Sequence, residues 1–340
     1  MIKSFFRVMI FLAVLAMAIS IWLYNQFKGD AVQESFTLTV SSEIVGADLK
    51  EYLSDSIVPH IEHDFAFNYY AKYLDLYSTI KAGHYRFDPG MSVIRIVRML
   101  KLGEQQAVNV TFNNVRTLPE LSGRISGQLD IDSLQLLQHL QDESVAKGYG
   151  LTPTTIISMF IPNTYQLYWS TSPQKLTDRI YSEYNKFWSS DRVSKAEQLG
   201  LTQLEVMTLA SIVYEETKQT SEMARVAGVY LNRLRIGMPL QADPTVKYAL
   251  QDFSIKRVLN KHLEYDSPYN TYKYRGLPPS PIAMPSIAAI DAVLTPERHS
   301  YLYFCARPTF DGYHNFAKTL SEHNANARAY INELNRLKIK

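Results

Sequence analysis

A chain of 340 residues, 46% hydrophobic and 20% charged, is long enough to form two domains that each bury a core. Its 35 basic and 33 acidic side chains leave a net charge of +2, and no basic run could follow a phosphate backbone, which argues against a nucleic-acid partner. One cysteine, Cys305, cannot form an intramolecular disulfide, and no Cys/His cluster has metal-ligand spacing, so neither metal nor cofactor is implied.

Residues 8–24 are apolar except for Ser20, with Lys3 and Arg7 before them and Lys28 and Asp30 after. About 20 apolar residues span a bilayer as a helix, and leading positive charges keep the N-terminus on the cytoplasmic side. Ala16-Met17-Ala18 could serve as a signal-peptide cleavage site. The apolar run nevertheless continues to Trp22 and Tyr24, rings suited to a membrane interface, which favours an uncleaved anchor with the bulk of the chain outside the cytoplasm.

Residues 29–112 read as a small mixed domain. Residues 35–40 alternate as a strand should, 45–53 and 57–77 read mainly as helix, and 80–87 hold a short strand. Asp88-Pro89-Gly90 makes a turn. Residues 91–102 form an amphipathic helix with Ser92 as its cap, Val93, Ile96, Val97 and Leu100 on one face, and Gly103 as its stop. A strand at 107–112 leads out. The expected fold class is α+β, divided as 1–28 cytoplasmic tip and anchor, 29–112 small domain, and 113–340 larger mixed domain.

In the larger domain a segment at 160–165 precedes a helix near 173–188. Thr202 and Glu205 then have capping-box spacing at the start of another helix. Its apolar stripe, Val206, Leu209, Ala210 and Val213, is continued three residues later by Glu216, whereas Glu215 is rotated by about 100° onto the side of Thr208, Ser211 and Ile212. A carboxyl group in partly apolar surroundings gains a raised pKa and can serve as an acid near neutral pH, as glycosidic-bond cleavage requires. The alternative from spacing alone is a structural pairing of Glu216 with Arg225 or Arg233.

Ser221 reads as the cap of the next helix, with Met223, Ala224, Ala227, Gly228, Leu231 and Leu234 as its packing face. Asp243-Pro244-Thr245 reads as a cap followed by proline in the first turn. A long irregular stretch runs through residues 268–282, rich in Tyr, Asn and Pro, of the kind that carries binding function. A helix from Ser286, a hairpin about 308–312 and a terminal helix near 320–337 complete the chain. His314 and His323 read as structural or substrate-lining rather than metal-binding, and Cys305 as a buried small hydrophobe.

The run Leu209-Ala-Ser-Ile-Val-Tyr-Glu-Glu216-Thr217, the segment Val226 to Arg233, Leu240-Gln-Ala-Asp243-Pro244-Thr245, Tyr269-Asn270-Thr271-Tyr272 and Gly276-Leu-Pro-Pro279 resemble, in this order, the central block of the endolytic murein transglycosylase (YceG-like) family. Lys81-Ala-Gly83-His-Tyr-Arg-Phe resembles part of that family's LysM-like subdomain, and the hairpin and Glu322-His323-Asn324 complete the likeness. Two departures stand out: Ile157 and Ser158 occupy places where the family often has Glu-Gly, and Asn163 one where Asp is common.

The resemblance implies an endolytic lytic transglycosylase, a lyase that cleaves the β-1,4 MurNAc–GlcNAc bond of peptidoglycan strands and leaves 1,6-anhydroMurNAc ends, terminating nascent strands. Glu216 would be its catalytic acid and base. Asp243, Thr245, Asn270, Thr271 and Tyr272 would hold the sugar. Glycan strands are the implied substrate, and peptidoglycan synthases the implied protein partners. Hydrolytic muramidase activity, or a non-catalytic membrane-anchored scaffold that binds glycan through 29–112, are the alternative readings.

Overall fold

A computed structural model of the chain describes residues 2–44 and 47–337 and shows a mixed α+β protein. Its elements are α1 (Ile2–Lys28), β1 (Phe36–Val40), α2 (Ala47–Ile57), α3 (Asp64–Tyr73), α4 (Leu76–Thr79), β2 (Gly83–Phe87), α5 (Val93–Leu102) and β3 (Ala107–Phe112). There follow α6 (Leu118–Ser126), α7 (Ser133–Gln141), α8 (Glu143–Gly148), β4 (Asn163–Tyr168), α9 (Pro173–Phe187), α10 (Ser190–Gln198), α11 (Gln203–Glu216) and α12 (Thr220–Arg235). The last are α13 (Asp243–Leu250), α14 (Asn260–Leu263), α15 (Ile287–Leu294), β5 (Tyr303–Ala306), β6 (His314–Ala317) and α16 (Leu320–Arg336). The strands pair two by two, β1 with β2, β3 with β4 and β5 with β6. The chain forms two compact units: one of Met1–Val110, Ser126–Ile131 and Tyr165–Ser172, the other of Thr111–Ile125, Asp132–Thr164 and Pro173–Lys340.

In the first unit, α1 is long and apolar enough to cross a membrane, and none of its residues is buried. β1 and β2 pair antiparallel from Phe36 opposite Phe87 to Val40 opposite Gly83. Their period-2 alternation turns Leu38, Val40, Tyr85 and Phe87 into one core. α5 lays Val93, Ile96, Val97 and Leu100 onto that core at the spacing read from the sequence. The Ser92 hydroxyl accepts the Arg95 N–H at 3.4 Å, and Gly103 ends the helix with φ of 74°. The positive φ favours glycine there, and a Cβ would come within 2.7 Å of the Lys81 side chain, which would have to shift.

The helix expected across 57–77 is broken. A 3-10 turn at Val58–His60 contains Pro59, and Asp75, in the left-handed region at φ 52°, separates α3 from α4. The helix expected from residue 45 is described from Ala47; Val45 and Gly46 lie outside the described residues.

In the second unit α11 is the central helix. The expected capping box is present: the Thr202 hydroxyl accepts the Glu205 N–H at 3.2 Å and Glu205 Oε2 accepts the Thr202 N–H at 2.8 Å. Beyond the apolar stripe, Thr208, Ser211 and Ile212 are buried too, because α12, α13 and α15 all pack against α11. Ser211 satisfies its hydroxyl by donating to the Thr208 carbonyl at 2.7 Å and accepting the Ile282 N–H at 3.0 Å.

α12 differs from its expected face. Leu231 and Leu234 are only partly buried, whereas Glu222, Tyr230, Asn232 and Arg233 are enclosed. Ser221 makes no cap; α12 starts after Gln219, which offers no capping bond, and Ser221 is exposed 3.5 Å from the Tyr313 hydroxyl. The close approach expected at Gly228 is present, since a Cβ there would meet the Glu297 carbonyl at 2.6 Å. That approach lets Asn232 Nδ2 donate to the carbonyls of His299 at 2.9 Å and Tyr301 at 3.0 Å, fixing the entry to β5. β5 and β6 then pair antiparallel, with Ala306 opposite His314.

Candidate active site

Glu216 is the last residue of α11, so its side chain leaves the helix where the apolar stripe reaches the floor of a cleft. The cleft holds about 440 Å³ and is walled by α12 (Tyr230, Arg233), the start of α13 (Asp243), Tyr272, β5 (Tyr303 to Ala306) and the histidines His314 and His323. Glu216 is partly buried and makes no ion pair among the described residues. The arginines that could have neutralised it are occupied elsewhere. Arg225 pairs with Glu297 at 2.9 Å, and Arg233 donates to the carbonyls of Leu302 and Leu240, each at 2.6 Å.

Burial therefore dominates the carboxyl of Glu216 and pushes its pKa up to about 7. A hydrogen bond from the Tyr230 hydroxyl at 2.8 Å opposes the rise, the charge of Asp243 adds to it, and Arg233 and Lys247 oppose it from further away. Tyr230 is fully enclosed, with its own phenol held well above its usual pKa by burial and by Glu216, so it stays a donor. The result is a carboxyl group that exchanges a proton near neutrality in a fixed orientation.

Asp243 is the first residue of α13 but does not cap it; Ala242 occupies that place and no side-chain cap bond is made. Its Oδ1 instead accepts the Tyr272 hydroxyl at 2.6 Å, and both side chains face the cleft. Glu216, Asp243 and Tyr272 are thus brought together.

Thr245, Asn270 and Thr271 are buried behind the wall and do not line the cleft. The Thr245 and Thr271 hydroxyls meet at 2.8 Å, and Thr271 accepts the Ala242 N–H at 3.0 Å. Asn270 donates to the carbonyls of Leu263 and Tyr265, each at 2.8 Å, and accepts the Tyr272 N–H at 3.1 Å. Together they hold the loop that presents Tyr272. Gln241, on the cleft, sits at φ 51°, a strained conformation for a non-glycine residue that its N–H bond to the Thr271 carbonyl at 3.1 Å helps to keep.

Several side chains in or behind the cleft wall make contacts that local spacing does not show. Tyr230 lay inside the family-like segment without a role, and Arg233 entered only as a possible structural partner of Glu216; both line the cleft. Glu222, 2% exposed, accepts the His314 backbone N–H at 2.9 Å and lies 2.7 Å from its Nδ1, which fixes the orientation of the imidazole. His323 stacks on Tyr303 with centroids 5.4 Å apart, and burial lowers its pKa. Cys305 is partly exposed along the cleft rather than buried, because its short strand has a solvent-facing side. A polar side chain within an otherwise helical apolar face, such as Glu222, was the signal available. Ile157 and Ser158 are buried and Asn163 is exposed; none lines the cleft. Among the described residues no group of three His, Cys, Asp or Glu side chains could hold a metal ion.

A family model described as the YceG-like family matches residues 39–329. An endolytic murein transglycosylase of Bacillus subtilis (strain 168) is 30% identical over 332 residues, covering 92% of this chain and 91% of the relative. One of Streptococcus pneumoniae (strain D39) is 29% identical over 303 residues, 80% of this chain; the chain spans about half that relative's length, 54%. A crystal structure of a yceG-like protein from Listeria monocytogenes superposes with a TM-score of 0.57 at 28% identity, covering 86% of this chain and 98% of the other.

Proposed function

The chain belongs to the YceG-like family, and from that premise we propose how it works as an endolytic transglycosylase of murein, the activity for which its relatives are named. The bond cut is the β-1,4 linkage between N-acetylmuramic acid and N-acetylglucosamine within a glycan strand. The observation that carries this reading is the carboxyl of Glu216, partly buried in the cleft, oriented by Tyr230 and raised in pKa to about 7, with Asp243 held beside it by Tyr272.

Glycosidases that use water or a covalent intermediate need two carboxylates flanking the bond. Attack by the muramyl C6 hydroxyl on its own C1 supplies the nucleophile from the substrate, with the high effective concentration of an intramolecular reaction. One acid then serves both halves. Protonated Glu216 gives its proton to the leaving O4 as the C1–O4 bond breaks. The carboxylate then takes the C6 hydroxyl proton as the O6–C1 bond forms, leaving a 1,6-anhydro end and restoring the acid. Asp243, bonded to Tyr272, offers negative charge to the positive charge that develops at C1. Thr245, Asn270 and Thr271 act by holding Tyr272 and the start of α13 in place.

In the same reading α1 anchors the protein in the cytoplasmic membrane with its N-terminus inside, residues 29–112 form a LysM-like module that binds glycan, and 113–340 form the catalytic domain. The enzyme would end nascent strands beside peptidoglycan synthases. Mass spectrometry of products from purified strands tests the chemistry: anhydro-ended fragments support it, and reducing ends would assign the enzyme to the muramidases.

A further inference from the structure

The outer face of α3 carries Phe65, Tyr69 and Tyr73 at i, i+4 and i+8, and they are 56%, 59% and 72% exposed. The opposite face already supplies Ala66, Phe67 and Ala71 to the core, so these three rings are apolar surface beyond what folding uses. Scattered single aromatics need no explanation, but three aligned on one helix do. Lys72 is exposed beside them.

The row continues into α1. The Trp22 and Phe65 ring centroids are 6.1 Å apart, Phe65 and Tyr69 6.4 Å, and Phe27 and Tyr69 5.9 Å. At about 1.5 Å per residue, the apolar stretch of α1 from Phe5 to Tyr24 spans a hydrocarbon core of about 30 Å, which puts Tyr24 at its outer edge and Trp22 about 3 Å inside it. Phe65, its ring centroid 6.1 Å from that of Trp22, therefore lies within about one ring's width of that level.

We propose that the aromatic face of α3 rests in the headgroup region of the membrane that α1 enters, as a second, interfacial contact that fixes the tilt of the first unit against the bilayer. The inference rests on the reading of α1 as a membrane span. Tyrosine rings with an apolar body and a polar tip suit that layer, and Lys72 suits anionic headgroups. A glycan strand is the less favoured occupant, because Phe65 offers sugars no hydrogen bond and one side of it is taken by Trp22.

The test uses the full chain carrying Cys305→Ser in vesicles of phosphatidylcholine and phosphatidylglycerol, with an environment-sensitive fluorophore on a cysteine at Leu15, Tyr69 or Tyr73 in turn. The label at 15 should be quenched by nitroxide near the lipid chain ends. Labels at 69 and 73 should be quenched by nitroxide near the headgroups and shielded several-fold from aqueous iodide. If 15 is quenched from within the lipid while 69 and 73 are as open to iodide as a free fluorophore in buffer, the interfacial contact is refuted and the span survives. If 15 is not quenched by lipid nitroxide, the span fails and the contact with it. Shielding of 69 and 73 only after adding purified glycan strands would reassign the face to glycan and overturn the proposal.

Discussion

The Tyr230 hydroxyl donates to Oε1 of Glu216 at 2.8 Å, joining the end of α11 to the third turn of α12. This bond favours the carboxylate, while burial favours the neutral acid and wins. Tyr230→Phe removes only the opposing influence, so the acid should hold its proton to higher pH. The falling limb of the pH–rate profile for anhydro-ended product, expected near pH 7 in the wild type, should move upward in the variant. An unmoved limb would mean that the bond does not persist in solution or that another group sets the profile.

The enclosed pair of Glu222 and His314 should matter first for stability. Glu222→Ala leaves the His314 N–H and imidazole without their acceptor, and leaving a buried hydrogen-bonding group unsatisfied costs about 1–3 kcal/mol. Glu222→Gln keeps an acceptor and should lose clearly less. Urea unfolding of both variants checks the order, and equal midpoints would show that the pair contributes little.

Cys305 offers a probe of the cleft. Burial raises its thiol pKa, so little thiolate is present near neutrality despite partial exposure. Alkylation by iodoacetamide should be slower than for a free thiol and slower again under a bound glycan strand. Rapid alkylation that glycan does not affect would place Cys305 outside the binding surface.

Features set by neighbours in sequence were legible, and those set by distant partners were not. The cap and face of α5, the Thr202–Glu205 box and the position of Glu216 follow from spacings of three and four residues. The buried polar face of α12 depends on partners far along the chain. Glu222 meets His314 across 92 positions and Asn232 meets Tyr301 across 69, so neither burial shows in local periodicity. Asp243 had the composition of a cap, but Tyr272, 29 residues on, claims its carboxylate. Thr245, Asn270 and Thr271 belong to the family-like motif, yet their bonds turn inward, and a motif does not say which of its members face the substrate.

Glu216→Gln is the variant in which chemistry and stability should move in opposite directions. In the proposed mechanism Glu216 both gives and removes a proton, so it should account for about 10²–10⁴-fold in rate, and the variant should bind glycan and release almost no anhydro-ended fragments. Its folded pKa of about 7 lies above the ordinary 4.5, so the stability that the protonated group contributes is fully present below pH 4.5 and is lost as pH rises through 7. Glutamine stays neutral throughout. The variant should therefore match the wild type near pH 4.5 and exceed it above pH 7 by a few kcal/mol at most, since each tenfold change in proton affinity is worth roughly 1.4 kcal/mol. Glu215→Gln should do the reverse: Glu215 faces away from the cleft, bonded to Arg116 at 2.9 Å and Lys218 at 3.2 Å. Losing that charge should cost about 1 kcal/mol while sparing most activity. Unfolding curves and product assays at two pH values separate the cases. An active Glu216→Gln, or an inactive but folded Glu215→Gln, would move the acid away from Glu216.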